Sequence, residues 1–280
     1  MSERNRNISV YFHVHLVSDS TGETLVALMK ASCAQFKNAT PLEHLHALVR
    51  SEDQMTRTLH EIKNKPGIVL YTVANPERRK MLENFCQDNR IPAVSILDQT
   101  LSMMGRYLGA SISHEVGAQR NLDNEYYDRI AALDFAMAHD DGQNVTGLKN
   151  ADIILLGISR TSKTPTSIYL ANRGYKTGNI PLVPTAPLPT ILETFENPFI
   201  IGLVASPDRI SQIRSQRLVG LNENRDTDYT DIDKVRTEMR DAKRMFLQKG
   251  YPVVDVTRRS IEETAAKIIT LYTKEKGRIH

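Results

Sequence analysis

A chain of 280 residues, 40% hydrophobic and 25% charged, can bury one large core or two modest ones, and it is too apolar to be a disordered or fibrous protein. Its net charge of +3 suits phosphate-rich ligands, while the absence of Trp and only 6% aromatic residues leave no evident platform for stacking bases, so no nucleic-acid partner is expected. The two cysteines, Cys33 and Cys86, form no CxxC or Cys/His cluster and read as reduced thiols rather than a disulfide or zinc framework.

The N-terminus is polar and lacks a signal-peptide core, and no run approaches the roughly 20 apolar residues of a membrane span. A cytoplasmic protein with no membrane partner is expected. Residues 14–17 read as a strand ending at Ser18-Asp-Ser-Thr-Gly-Glu23, followed by a helix over 23–35. A second strand is expected over 42–49, and Ser51 as the N-cap of a helix whose apolar stripe is Met55, Leu59 and Ile62. After the Lys65-Pro-Gly turn come a buried strand at 68–73, a helix at 76–88 and a strand at 93–97. Strands alternating with helices predict a parallel sheet covered by helices.

The middle differs. Residues 121–138 carry Tyr126, Ile130, Leu133 and Met137 on one face, which predicts a long amphipathic helix ending at His139-Asp-Asp-Gly142. The alternation resumes with a strand at 153–156, a loop from Gly157, a helix at 164–172 stopped at Gly174, and strands at 179–183 and 199–204. Pro207 opens a basic helix with Arg209, Arg214 and Arg217. A helix striped by Ile232, Val235, Met239, Ala242 and Phe246 precedes a last strand at 252–256 and a helix at 260–273. The fold class is therefore α/β: an N-terminal parallel-sheet α/β domain over 1–120, a connecting helix over 121–148, and a C-terminal P-loop kinase-like α/β domain over 149–280.

The strongest chemical signal is Gly157-Ile-Ser-Arg-Thr-Ser-Lys163-Thr164. The Walker A pattern is Gly, four residues, Gly, Lys, then Ser or Thr. Here Gly157, Lys163 and Thr164 match, and Ser162 replaces the second glycine. Ile158, Ser159, Arg160, Thr161 and Ser162 would supply backbone N–H groups to phosphate oxygens, Lys163 would neutralise the transferring phosphoryl group, and Thr164 would ligate Mg²⁺. A bare helix-capping turn is the alternative, because Ser162 must manage with a Cβ where glycine is usual.

Four other groups have two readings each. Arg209, Arg214 and Arg217 are either lid arginines or a solvated basic face. The turn Ser18-Asp-Ser-Thr-Gly-Glu-Thr24 is either a second anion site, with Asp19 as a catalytic base, or a plain capped turn. Asp140 and Asp141 are candidates for metal binding or base work against an ordinary acidic loop, the reading preferred. His13 with His15, and His44 with His46, fall on one face of their strands and read as structural.

The chain resembles the pyruvate, phosphate dikinase regulatory protein family, the kinase–pyrophosphorylases, nearly end to end. The resemblance rests on His15-Leu-Val-Ser-Asp-Ser-Thr-Gly-Glu-Thr24, on His139-Asp-Asp-Gly142, on 157–167, on Ile180-Pro-Leu-Val-Pro184, and on Val254-Asp-Val-Thr257 with Ile261-Glu-Glu-Thr-Ala265. It implies a bifunctional regulator: transfer of the β-phosphoryl of ADP to a threonine of the dikinase, and removal of that phosphate with inorganic phosphate to release pyrophosphate. It also implies that Ser162 is a familiar form of the loop and that ADP binds residues 157–164. It does not assign the base. Residue chemistry does not distinguish ADP from ATP, and it leaves a homodimer open. A sister branch acts on phosphoenolpyruvate synthase and tends to carry Cys-Gly where this chain has Thr161-Ser162, which favours the dikinase. The rivals are a small-molecule P-loop kinase, which leaves the N-terminal domain unexplained, and a nucleotide-sensing module without catalysis.

Overall fold

The computed structural model describes residues 10–113, 124–184, 186–220 and 229–277. The chain divides into two compact units, Met1–Asn121 and Leu122–His280. Among the described residues no helix is long and apolar enough to cross a membrane.

In the first unit, strands β1 (Val10–Ser18), β2 (Ala39–His46), β3 (Ile68–Thr72) and β4 (Ala93–Ser95) form a parallel sheet in the order β2-β1-β3-β4. Alternate residues of β1 feed opposite faces, as a strand's period of two requires. Val14 and Leu16 pack with Leu25 and Met29 of α1 (Glu23–Cys33). Val17 points the other way, toward Met55 and Ile62 of α2 (Glu52–Asn64) and Leu82 and Cys86 of α3 (Pro76–Asp88). Ser51 caps α2 with a full capping box, and Asn75 with Pro76 opens α3, so both helices start where local chemistry predicts. Cys86 is buried, Cys33 half-buried, and both are free thiols.

The alternation overlooked α4 (Asp98–Leu108), which buries none of its residues. Its start is tied to α3 by Arg79, which donates to Asp98 Oδ1 at 2.9 Å and also to Oδ2. Its sequence is amphipathic, yet its inward side is only half-buried, at Asp98, Leu101 and Gly105, while Met103, Met104 and Tyr107 are exposed.

In the second unit, β5 (Ile153–Ile158), β6 (Thr177–Leu182), β7 (Phe199–Val204) and β8 (Val253–Asp255) repeat the arrangement as β6-β5-β7-β8, all parallel. Every residue of β5 is buried, the pattern of a central strand covered on both faces. Ile154, Leu156 and Ile158 face Val235, Met239, Ala242 and Phe246 of α8 (Ile232–Lys249), and Ile210 of α7 (Pro207–Gly220) joins them. Ile153 and Leu155 face Leu170 of α6 (Lys163–Ala171) and Ala265 and Ile268 of α9 (Ile261–Lys276).

The amphipathic helix is α5 (Asn124–Ala138); residues 121–123 lie outside the described residues. It packs on α6 and β6. Its inward face is not the large apolar stripe read from the sequence. Ala132 and Ala136 are buried against Ala171, with Leu133 beside them, whereas Tyr126, Ile130 and Met137 are exposed. Small residues allow the helices to approach closely, and that approach brings the turn after α5 to the loop after β5.

Candidate active site

The expected loop begins inside the strand, because Gly157 and Ile158 still belong to β5. The turn is confined to 159–162. A Cβ added at Gly157 would lie 2.5 Å from Thr161 Oγ1 and 2.9 Å from the Leu203 carbonyl oxygen, so only glycine lets the turn fold back this tightly. Thr161 Oγ1 completes the turn by donating to the Ile158 carbonyl at 2.9 Å. Arg160 and Ser162 have left-handed backbones, with φ of 76° and 59°. The position that carries glycine in Walker A therefore needs that conformation here too, and a serine adopts it at a cost of about 1–2 kcal/mol. Helix α6 starts at the next residue, and its first N–H groups have no intrahelical acceptors.

Lys163 is 6% exposed. Its Nζ donates to the Ile158 carbonyl at 3.1 Å, and among the described residues no carboxylate pairs with it. Burial pushes its ammonium down to about 8, against the pull of Asp141 and then Asp140. A buried cation on a helix N-terminus, with only a carbonyl to face, is stabilised by an anion. Thr164 Oγ1 donates to Asp140 Oδ1 at 2.8 Å. These hard oxygens fit Mg²⁺, which takes one or two carboxylates and completes its shell with substrate phosphates and water. No group of three or more His, Cys, Asp or Glu side chains suited to a metal occurs among the described residues.

The family's sequence profile, described as kinase/pyrophosphorylase, matches residues 14–269. The chain belongs to this family. A Maricaulis maris protein is 52% identical over 277 residues, 99% of either chain, and bears the assigned name pyruvate, phosphate dikinase regulatory protein. Relatives given the same name in Caulobacter vibrioides (53% over 271 residues; 97% of this chain, 86% of that one) and Hyphomonas neptunium (50% over 271 residues; 96% and 97%) are similar throughout.

In this member of the family the arginines of α7 divide. Arg209 and Arg217 are exposed. Arg214 is buried at 2% exposure and clamped by Glu238, with Nη2–Oε2 at 2.7 Å and Nη1–Oε1 at 3.2 Å. It lies over the Tyr229 ring, 4.5 Å from the centroid, and donates to the Ser159 carbonyl at 3.4 Å. Tyr229 OH in turn lies 3.0 Å from Ser159 Oγ and accepts from Arg160 Nε at 3.2 Å. Arg214 thus braces the turn from beneath and is not a free lid arginine.

Asp19, in the first unit, is 4% exposed, and its Oδ2 accepts the Ala74 N–H at 2.7 Å. The four histidines meet across β1 and β2. His13 Nδ1 lies 2.9 Å from His44 Nε2, His15 Nδ1 lies 3.0 Å from His46 Nε2, and His15 Nε2 donates to the Lys65 carbonyl at 2.8 Å. These mutual bonds make them structural.

Residue chemistry alone prefers to read Asp140 as an ordinary loop acid; the structure places it, on the turn after α5, against Thr164. The available signal was its place in the His139-Asp-Asp-Gly142 segment. Asn179, which bonds both Asp140 and Asp141, gave no signal at all.

Proposed function

We propose that this chain is a bifunctional regulator of pyruvate, phosphate dikinase. In one direction the hydroxyl oxygen of a dikinase threonine attacks the β-phosphorus of ADP. The new O–P bond forms as the bond from that phosphorus to the bridging oxygen breaks, AMP leaves with the oxygen, and the hydroxyl proton passes to a base. In the other, an oxygen of inorganic phosphate attacks the phosphothreonine phosphorus, pyrophosphate departs, and the threonine oxygen takes back a proton. The observation that carries the reading is the buried Lys163 at the start of α6, which forms no ion pair among the described residues, beside the Thr164–Asp140 pair. The assigned names of the near-full-length relatives support the dikinase as target.

Residues 157–164 would hold the diphosphate through backbone N–H groups, with Lys163 countering charge on the moving phosphoryl group. Thr164 and Asp140 would hold Mg²⁺, which supplies charge neutralisation across the phosphates. Two carboxylates compete for the proton: Asp19, buried and bonded to Ala74, and Asp141, exposed and accepting no hydrogen bond among the described residues. The variant of the true base, Asp19→Asn or Asp141→Asn, should lose about 10²–10⁴-fold in kcat.

The direct test supplies ADP labelled on its β-phosphorus, Mg²⁺ and purified dikinase. Label on a dikinase threonine with stoichiometric AMP is expected. Label transferred to phosphoenolpyruvate synthase but not the dikinase, or to small alcohols alone, would overturn the target; no transfer to any acceptor would leave a nucleotide-binding module.

A further inference from the structure

Asn179 lies within β6, one strand away from the phosphate loop, and it is 0% exposed. Most polar side chains buried in a sheet bond to one neighbour; this one gathers a whole turn. Its backbone N–H donates to the His139 carbonyl at 3.0 Å, and its carbonyl accepts the Gly142 N–H at 2.8 Å, which clips the segment His139–Gly142 to the strand. Its side chain then reaches between the two acids. Nδ2 donates to Asp140 Oδ1 at 2.5 Å, and Oδ1 accepts the Asp141 N–H at 3.1 Å. The second Nδ2 hydrogen reaches Ser167 Oγ at 3.3 Å, whose own hydroxyl donates to the Thr164 carbonyl at 2.9 Å.

The orientation of the carboxamide is fixed by its partners. A carboxylate only accepts and a backbone N–H only donates, so the nitrogen faces Asp140 and the oxygen faces Asp141. Asp140 Oδ1 thus receives two donors, Asn179 and Thr164, and is aimed at the hydroxyl of the second residue of α6. Asp141, with φ of 53°, is held in a left-handed conformation by the bond to Asn179 and by the closing bond of Gly142.

We propose that Asn179 is a positioning residue for phosphoryl transfer, setting the Asp140 carboxylate against Thr164 so that the two form one Mg²⁺-holding pair. The proposal rests on the phosphoryl-transfer reading above and adds the residue that makes the pair rigid. Asn179 touches neither nucleotide nor acceptor in this scheme; it acts through Asp140. A carboxylate on a turn between a helix and a strand has free rotamers, and a buried carboxamide removes them before the phosphates arrive.

The test measures ADP affinity by calorimetry with EDTA and again with Mg²⁺, the ratio giving the metal-dependent gain. Asn179→Asp keeps the shape and the acceptor for Asp141 N–H, but turns an oxygen toward Asp140 and repels it from Thr164. The gain should fall by about 10–100-fold, as it does when a residue that orients a metal ligand is changed, while affinity in EDTA stays at the wild-type level. Asn179→Ala, which places no new charge in the interior, should lower the gain in the same way. In the pair Asn179→Asp with Asp140→Asn the hydrogen bond re-forms with reversed polarity; thermal stability should recover and the gain should not. With the dikinase as acceptor, kcat should fall with the gain while KM for the dikinase holds. An unchanged gain in both single variants, or recovery of the gain in the swapped pair, overturns the proposal, as does wild-type protein that shows no gain. Absence of phosphothreonine formation by the wild-type protein would instead sink the functional reading, with the binding titrations still judging Asn179.

Discussion

The two units place a turn at the same point of the same topology. In each, the sheet order is second-first-third-fourth, and the turn leaves the first strand to open a helix. After β1 the turn is closed upon itself: Ser18 Oγ receives the Ser20 N–H and the Thr72 hydroxyl, Asp19 Oδ2 receives the Ala74 N–H, and Val49 N–H bonds to the Ser18 carbonyl. After β5 the turn holds its shape through Thr161 and through Arg214 beneath it, leaving the Lys163 ammonium on a single carbonyl. Both turns use a left-handed residue to enter the helix, Gly22 with φ of 77° and Ser162 with φ of 59°. Backbone geometry alone therefore does not distinguish the two turns. What differs is the balance of satisfied against unsatisfied charge.

The largest effect expected from that contrast is at Lys163. Lys163→Ala should lower phosphothreonine formation by about 10²–10³-fold or more with little change in folding, since the ammonium acts on charge developing in the transition state. Equal loss in Asp19→Asn and Lys163→Ala proteins would show that both turns work in catalysis and would break the contrast.

A pH effect should mark the first unit. Burial, then the neighbouring His15 charge, holds His46 down to about 4, and His15 and His44 are also lowered; His13, Glu61 and Lys65 complete the charged surroundings. The unfolded chain, titrating near the ordinary value of 6.5, takes up protons first as pH falls. Stability is thus full above about 6.5 and declines toward pH 4, by about 3 kcal/mol for His46 alone. The protection of β1 and β2 amides against hydrogen exchange, taken relative to the intrinsic rate at each pH, should fall through that window, and His46→Phe should flatten the dependence.

Glycine substitutions separate the turns further. Gly157→Ala forces a Cβ onto Thr161 Oγ1 and the Leu203 carbonyl, and should cost about 1–3 kcal/mol together with ADP affinity. Gly22→Ala meets Leu45 Cδ1 at 2.7 Å, the movable tip of a side chain, and should cost about 1–2 kcal/mol for its left-handed backbone while ADP affinity holds. Smallest of all, Ser162→Gly should stabilise the second unit by roughly 0.5–1 kcal/mol in denaturant titration, the relief of left-handed strain being partly offset by chain entropy.

Much of this was legible in the residues. Helix α2 begins at its expected cap, Ser51, α3 and α9 begin within a residue of their expected starts, and α8 buries Val235, Met239, Ala242 and Phe246 of the expected stripe while Ile232 is half-buried. The strands came out displaced at their ends, since pairing and not propensity sets their length: Val10–His13 of β1 is in register with Ala39–Leu42 although its first residues are exposed. Helix α4 falls outside the expected elements although its sequence is amphipathic, and the face of α5 differs from the expected one because alanines, and not the large apolar residues, make its contact.

The sequence by itself determined two parallel α/β units and a lysine and a threonine at the head of a helix, because periodicity, caps and a glycine-led turn are properties of neighbouring residues. Only the tertiary structure decided that Asp140 completes the site, that Arg214 braces it, and that Asn179 holds the two acids in place. The Asp140 and Asn179 contacts join residues 24 to 39 positions apart and form once α5 has docked on α6 and β6, while Arg214 reaches Ser159, 55 positions away, from α7.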